Sequence, residues 1–219
     1  MVAQKPLKSK QSSQLKNPAE MGQNIESLIK ELEIITEYRD EFTSVFPNDG
    51  ITSENIGKAI ATFERTIVSG IAPFDEWIMG NENSISQEAK RGFNLFNGKA
   101  NCVSCHEGWN FSDLSFHDIG LNSDDVGRHA IFEIDVLRSS FKTPTLRNIA
   151  ERAPYMHDGS ISTLEEVVDH YNDGFVTRES LSSEIKPLNL SQSEKKDILE
   201  FLLSLSSDDE IFIPTQLSE

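Results

Sequence analysis

Cysteine is nearly absent from this chain: 219 residues contain two, which excludes a fold built on disulfides. No apolar run approaches the ~20 residues needed to cross a bilayer. The opening stretch, MVAQKPLKSKQSSQLKNPAEM, is polar and basic and has no apolar h-region, so no secretory signal peptide is visible. Basic residues are outnumbered, 20 Lys and Arg against 36 Asp and Glu, for a formal net charge of −16. Such a surface repels nucleic acid and anionic lipid and suits a basic protein partner. Strand signals are few, no internal repeat is found, and no βαβ unit is apparent. With 37% hydrophobic and 26% charged residues, what remains is a soluble globular chain, long enough for one domain or two small ones.

What is present reads as helix. The stretch TSENIGKAIATFERTIV (52–68) spaces Ile56, Ala59, Ile60, Phe63 and Ile67 by three and four, an apolar stripe with Thr52 or Ser53 as N-cap. Ile25, Leu28, Ile29 and Leu32 mark an earlier helix, and Phe93 and Phe96 share one side of a helix opening at Ser86. Thr163 with Glu166, and Ser191 with Glu194, are capping boxes. The first leads through Val167, Val168 and Tyr171, the second through Ile198, Leu199, Leu202 and Leu205. Residues 108–154 read as loop, and 1–18 and 206–219 as loose ends. The expected class is all-α with long functional loops.

Both cysteines fall in ANCVSCHEG (100–108), as Cys102 and Cys105, with His106 directly after them. A disulfide across so short a spacing would staple almost nothing. A zinc site needs four ligands, and there is no second cysteine pair. The five histidines (His106, His117, His129, His157, His170) lack finger-like spacing. A thioredoxin-type redox pair would sit beside a βαβ unit. C-x-x-C-H is instead the attachment signature of c-type haem. Two thiols add across the two vinyl groups on one haem edge, and the next residue then lies beneath the iron, where imidazole is a good fifth ligand. For a sixth ligand, Met156 would give a high-potential carrier, whereas a Tyr171 phenolate would favour ferric iron. His157 and His170 are further candidates, and position alone leaves the choice open.

Six segments occur in a recognisable order: NPAEMG (17–22), IGKAIATFERTIVSGIAPFDEW (56–77), SQEAKRGFNLF (86–96), CVSCHEGWNFSD (102–113), FKTPTLRNIAERAPYMHDGSISTLEEVVDHYNDG (141–174) and PLNLSQSEKKDILEFLLSL (187–205). Together they resemble the bacterial dihaem cytochrome c peroxidase and MauG family, and residues 141–174 are the most specific part. The resemblance implies a cytochrome c-like helical haem domain with long loops, preceded by helices from the peroxidatic side. Residues 1–50 match the end of the peroxidatic domain, 51–206 the C-terminal haem domain, and 207–219 a tail. It implies that Cys102 and Cys105 carry one covalent haem c, that His106 is its proximal ligand, and that Tyr171, counted on from Leu146, is the sixth ligand as in MauG-like members. Met156 is the runner-up. Glu20 matches a glutamate over the peroxide-binding haem, where a carboxylate helps to move the proton that makes water the leaving group. The carbonyls of Arg152 and Pro154 match calcium-binding positions.

The resemblance also implies hydrogen peroxide as acceptor through a second haem, an electron donor such as a small cytochrome or cupredoxin, a periplasmic location, and a homodimer among the family's assemblies. Several features depart from the pattern. The first C-x-x-C-H would lie upstream of Asn17, Lys10 stands where the family has glutamine, and the upstream calcium-ligand asparagine has no counterpart. The expectation is therefore an electron-transfer half whose peroxidatic haem lies elsewhere. The alternatives are a stand-alone monohaem carrier and, furthest from the pattern, a haem-free redox or zinc module.

Overall fold

Local chemistry starts several helices of the computed structural model, in which residues 14–208 are described. Asn24 Oδ1 accepts from the Ser27 amide at 3.0 Å and opens α1 (Ile25–Ile34). It is followed by α2 (Thr36–Val45). Thr52 Oγ1 accepts from the Asn55 amide at 3.1 Å and opens α3 (Ser53–Thr66). Residues 14–68 make one compact unit and 69–208 a second. In the first, Leu15, Ile51 and Ile56 form the core, with Ile25, Leu28, Ile29, Leu32, Phe42 and Ile60 packed against it.

The buried face of α3 differs from the expected stripe. Its buried positions are Asn55, Ile56, Gly57 and Ala61, while Ala59 is exposed and Phe63 and Ile67 are 45% and 67% exposed. Of the expected stripe, Ile56 is buried and Ile60 packs against the core, whereas Ala59, Phe63 and Ile67 lie outside it. Gly57 and Ala61 take places on the buried face, and small residues carry little weight in a hydrophobic pattern.

The second unit begins with α4 (Pro73–Ile78) and continues with α5 (Gln87–Asn97), whose N-cap Ser86 accepts from the Ala89 amide at 3.0 Å. A 3₁₀ turn, Cys102–Ser104, follows. The long irregular stretch expected after it holds a small antiparallel pair, β1 (Phe116–His117) and β2 (Phe141–Lys142), with Phe116 opposite Lys142 and His117 opposite Phe141. Between them lies α6 (His129–Phe132). The capping box at Thr163 opens α7 (Leu164–Asp169), which runs into a π-helical turn, His170–Gly174. The box at Ser191 opens α8 (Gln192–Leu203).

Helix α5 crosses α8 at Gly92, where an added Cβ would meet the Asp197 carbonyl and lie 2.8 Å from Phe201 Cβ. Arg91 and Asp197 close the crossing with two hydrogen bonds, at 2.8 and 2.9 Å. Beneath it Phe74, Phe96, Phe111, Ile198, Phe201 and Leu205 form the main core, with Phe96 and Phe201 edge to face at 5.0 Å. The fold is thus all-α and cytochrome c-like, as the sequence led us to expect. The expected loose ends fall mostly outside the described residues. Within them, Leu15 is buried in the first unit, and the Ser207 amide donates to Asn148 Oδ1 at 2.9 Å.

Candidate haem site

The C-x-x-C-H segment begins with Asn101 in a left-handed conformation, φ 50°. From there the chain folds tightly back: the Cys105 and His106 amides both donate to the Cys102 carbonyl, at 3.2 and 2.9 Å. Cys102, Cys105 and His106 therefore face one cavity of about 430 Å³, within the ~300–1,000 Å³ range of small-molecule sites. The wall is mainly apolar and includes Phe96, Leu146, Ile149, Val168, Ile198 and Leu202.

Desolvation pushes the Cys102 thiol up to about 12, so in the haem-free chain this sulfur is a protonated thiol. His106 Nδ1 lies 2.9 Å from the Phe111 carbonyl oxygen. An N–H there donates to that carbonyl, which fixes the tautomer and leaves Nε2 as the ligand atom. Burial lowers the pKa of His106 more than the Phe111 carbonyl raises it. The ring is thus a neutral imidazole at neutral pH, the form that binds metal.

Tyr171 lies in the π turn and also lines the cavity. Its two neighbours anchor it. His170 Nε2 is 3.0 Å from the Ile119 carbonyl oxygen, and Asn172 Oδ1 accepts from the Leu190 amide at 2.8 Å. The wide turn buries His170 and Asn172 and leaves Tyr171 at the cavity; π turns recur at functional sites. Burial raises the Tyr171 phenol above its ordinary pKa, so the protein alone keeps it protonated. Met156 reaches the same cavity from a loop closed by the Tyr155–Ile161 pair, with φ +71°.

Arg152 and Pro154 line the cavity too. Glu20 does not. It is exposed on a turn of the first unit, where Asn17 Nδ2 donates to its Oε1 at 3.3 Å. Thus Cys102, Cys105, His106, Tyr171, Met156, Arg152 and Pro154 share one cavity, and Glu20 belongs to a separate unit.

Several participants were not singled out from sequence. His117 lies beside Cys105, with Nε2 2.7 Å from Asp113 Oδ2 and Nδ1 3.3 Å from Ser182 Oγ. Hydrogen bonding to the free Cys105 and to Asp113 lifts His117 to about 9, against the opposing effect of burial. The spacing of Asp113 and His117, four apart and just after the haem motif, was the available signal. Asp118 has no exposed side-chain surface and holds Arg178 through two hydrogen bonds, at 2.6 and 2.7 Å. No local pattern joins residues that far apart.

The donor set fits a covalent haem: two thiols on one tight turn, an oriented neutral imidazole, and a largely apolar cavity. A model described as dihaem cytochrome c peroxidase matches residues 3–83, and one described as cytochrome c matches 89–206. Methylamine utilization protein MauG of Methylophilus methylotrophus is 47% identical over 190 residues, covering 85% of this chain and 57% of that protein. The chain belongs to the dihaem cytochrome c peroxidase/MauG family. Cytochrome c551 peroxidase of Nitrosomonas europaea is 33% identical, with 93% of this chain and 60% of that protein covered. A solved MauG-like protein associated with microbial copper homeostasis superposes with a TM-score of 0.83 at 29% identity, over 92% of this chain and 69% of that one. The dihaem peroxidase BthA of Burkholderia thailandensis shares the fold, with a TM-score of 0.72 at 18% identity over 92% of this chain and 64% of that one. The chain spans 57% and 55% of the length of two MauG relatives. Among the described residues no helix is long and apolar enough to cross a membrane.

Proposed function

We propose that residues 51–206 are the electron-transfer haem domain of a dihaem peroxidase or MauG-like oxidoreductase, that 1–50 are the end of the peroxidatic domain, and that 207–219 are a tail. The peroxide-reactive haem is carried outside these residues. The carrying observation is the convergence of Cys102, Cys105, His106 and Tyr171 on one cavity. One haem c, held by thioethers from Cys102 and Cys105, supplies a one-electron couple to this site. His106 would hold the iron through Nε2, with the Phe111 carbonyl keeping the ring in place. Tyr171 would supply a phenolate ligand, and a bound iron's positive charge would favour loss of the phenolic proton that burial otherwise retains. Met156 remains the runner-up.

The apolar wall around the cavity excludes water, which keeps solvent reorganisation small during electron transfer. Glu20 serves the peroxidatic haem as an acid–base group, and the carbonyls of Arg152 and Pro154 take part in a calcium site. The donor is a small cytochrome or cupredoxin with a basic face, suited to a chain of net charge −16. The acceptor is hydrogen peroxide, the compartment is the periplasm, where c-haem is attached, and the assembly is a homodimer.

The test starts with chain matured by c-haem machinery. Denaturing mass spectrometry is expected to show one haem per chain, and loss of the haem on acid–acetone extraction would overturn the attachment. In the complete two-haem protein, peroxide reduction should be rapid, and Glu20→Gln should slow it by about 10²-fold or more with haem loading intact. A protein that attaches one haem, exchanges electrons with a donor and never supports peroxide reduction is the stand-alone carrier instead.

A further inference from the structure

The hydrogen bond that orients His106 rests on a strained backbone. Phe111, whose carbonyl meets His106 Nδ1, has φ +49°. A bulky residue in the left-handed region is strained and persists only where its surroundings hold it. Residues on either side of Phe111 are tied, one after another, to the 143–147 segment. The Trp109 carbonyl accepts from Arg147 Nε at 2.8 Å. Asn110 Oδ1 accepts from Thr145 Oγ1 at 2.8 Å. Ser112 Oγ donates to the Thr143 carbonyl at 2.8 Å.

Arg147 is the rigid member of this set. Its side chain is 8% exposed, and its fork meets both oxygens of Asp75, at 2.6 and 2.9 Å. Asp75 Oδ2 also accepts from the Ala72 amide at 2.9 Å, at the start of α4. The guanidinium lies 5.2 Å from the centre of the Phe111 ring. A helix start, a buried ion pair and the turn after the haem motif thus form one connected unit. Burial works to raise the Asp75 carboxyl, but hydrogen bonds from Arg147 and Ala72 outweigh it and hold the group ionised.

We propose that Arg147, locked to Asp75, is a positioning residue that keeps the Phe111 carbonyl on His106 Nδ1 and so sets how strongly His106 donates to the haem iron. An N–H···O bond at Nδ1 gives the imidazole partial imidazolate character and stabilises ferric over ferrous iron. Loosening the 108–112 turn lengthens that bond, weakens His106 as a donor and raises the reduction potential. This rests on the reading of His106 as axial ligand.

The test must separate geometry from charge, because removing a buried cation would by itself lower the potential. Arg147→Lys keeps the charge and removes the planar fork. The double variant Arg147→Gln with Asp75→Asn removes the pair with no net charge change. In the full chain matured with haem, both variants are expected to raise the ferrous-to-ferric ratio at fixed ambient potential by about threefold to tenfold, up to about 59 mV for one electron. The His106 Nδ1 proton, followed by NMR, should exchange with solvent faster in both. Lys90→Gln, which breaks the Lys90–Glu82 pair, should leave potential and exchange unchanged. Full haem loading with potential and exchange as in the parent chain overturns the proposal and leaves His106 ligation standing. Loss of haem attachment in both variants also overturns it, since Arg147 and Asp75 would then serve folding alone. Failure of the parent chain to show an imidazole-ligated haem overturns the underlying reading instead.

Discussion

Tyr171 is placed by its neighbours. His170 and Asn172 are buried and bonded to Ile119 and Leu190, so the phenol between them is held at the cavity wall rather than drawn there by its own contacts. Met156 also sits between anchored neighbours, Tyr155 donating to the Ile149 carbonyl and His157 stacked on Phe141, but its positive φ costs about 1 kcal/mol or more. Tyr171→Phe is therefore expected to open or replace the sixth position and to raise the reduction potential by on the order of 100 mV, within the ~0.8 V that axial ligands command. Met156→Leu should leave the ferric spectrum unchanged. A weak far-red sulfur-to-iron band in the parent protein, lost in Met156→Leu, would reverse the assignment. Cys102, Cys105 and His106 were legible in the sequence because covalent chemistry fixes their spacing. Tyr171 was one of four candidates for the sixth ligand, and only the resemblance singled it out, since the anchors that place it lie at residues 119 and 190.

The crossing of α5 and α8 tolerates almost no side chain at Gly92. A Cβ there meets the Asp197 carbonyl, which is backbone and cannot swing aside, and Phe201 Cβ at 2.8 Å. Gly92→Ala must push the helices apart, opening the layer that contains Phe96, Ile198 and Phe201. The cost is about 3 kcal/mol, the upper part of the overpacking range. It corresponds to a fall in melting temperature of roughly 6–12 °C for a chain this size, followed by circular dichroism. A variant melting with the parent protein would refute the close crossing. The helices themselves were readable because caps are local: Ser86, Thr163 and Ser191 each bond within four residues. The β1–β2 pair, the π turn at Tyr171 and the buried side of α3 were not. They depend on partners far along the chain, or on small residues that carry little weight in a hydrophobic pattern.

Charge acts on the protein in two opposing ways as pH falls. The net charge of −16 counts mostly surface carboxylates, whose mutual repulsion weakens as they begin to protonate. The second unit also depends on carboxylates that must stay ionised. Burial tends to raise the Asp118 pKa, but Arg178, Ser180 and the Gly120 amide bond to the carboxylate and hold the group below its ordinary value. Asp75 is held down in the same way by Arg147 and the Ala72 amide. A carboxyl with a depressed folded pKa contributes stability that is fully present above its unfolded pKa of about 3.9, and that contribution is lost as pH falls through the folded value. Stability should therefore hold or rise slightly from pH 7 to about 5, then fall steeply below about 4. High salt should flatten the first part by screening surface repulsion and affect the second less, because the pairs are partly buried. Asp118→Asn leaves Arg178 with an uncompensated charge and should cost about 3–5 kcal/mol at pH 7. In that variant the acid limb should also be shallower, because one linked proton has been removed. Urea unfolding of haem-loaded protein across pH 3–8 reads both effects. A variant with the parent's stability at pH 7 and the parent's acid slope would show that the Asp118–Arg178 pair does not govern acid unfolding.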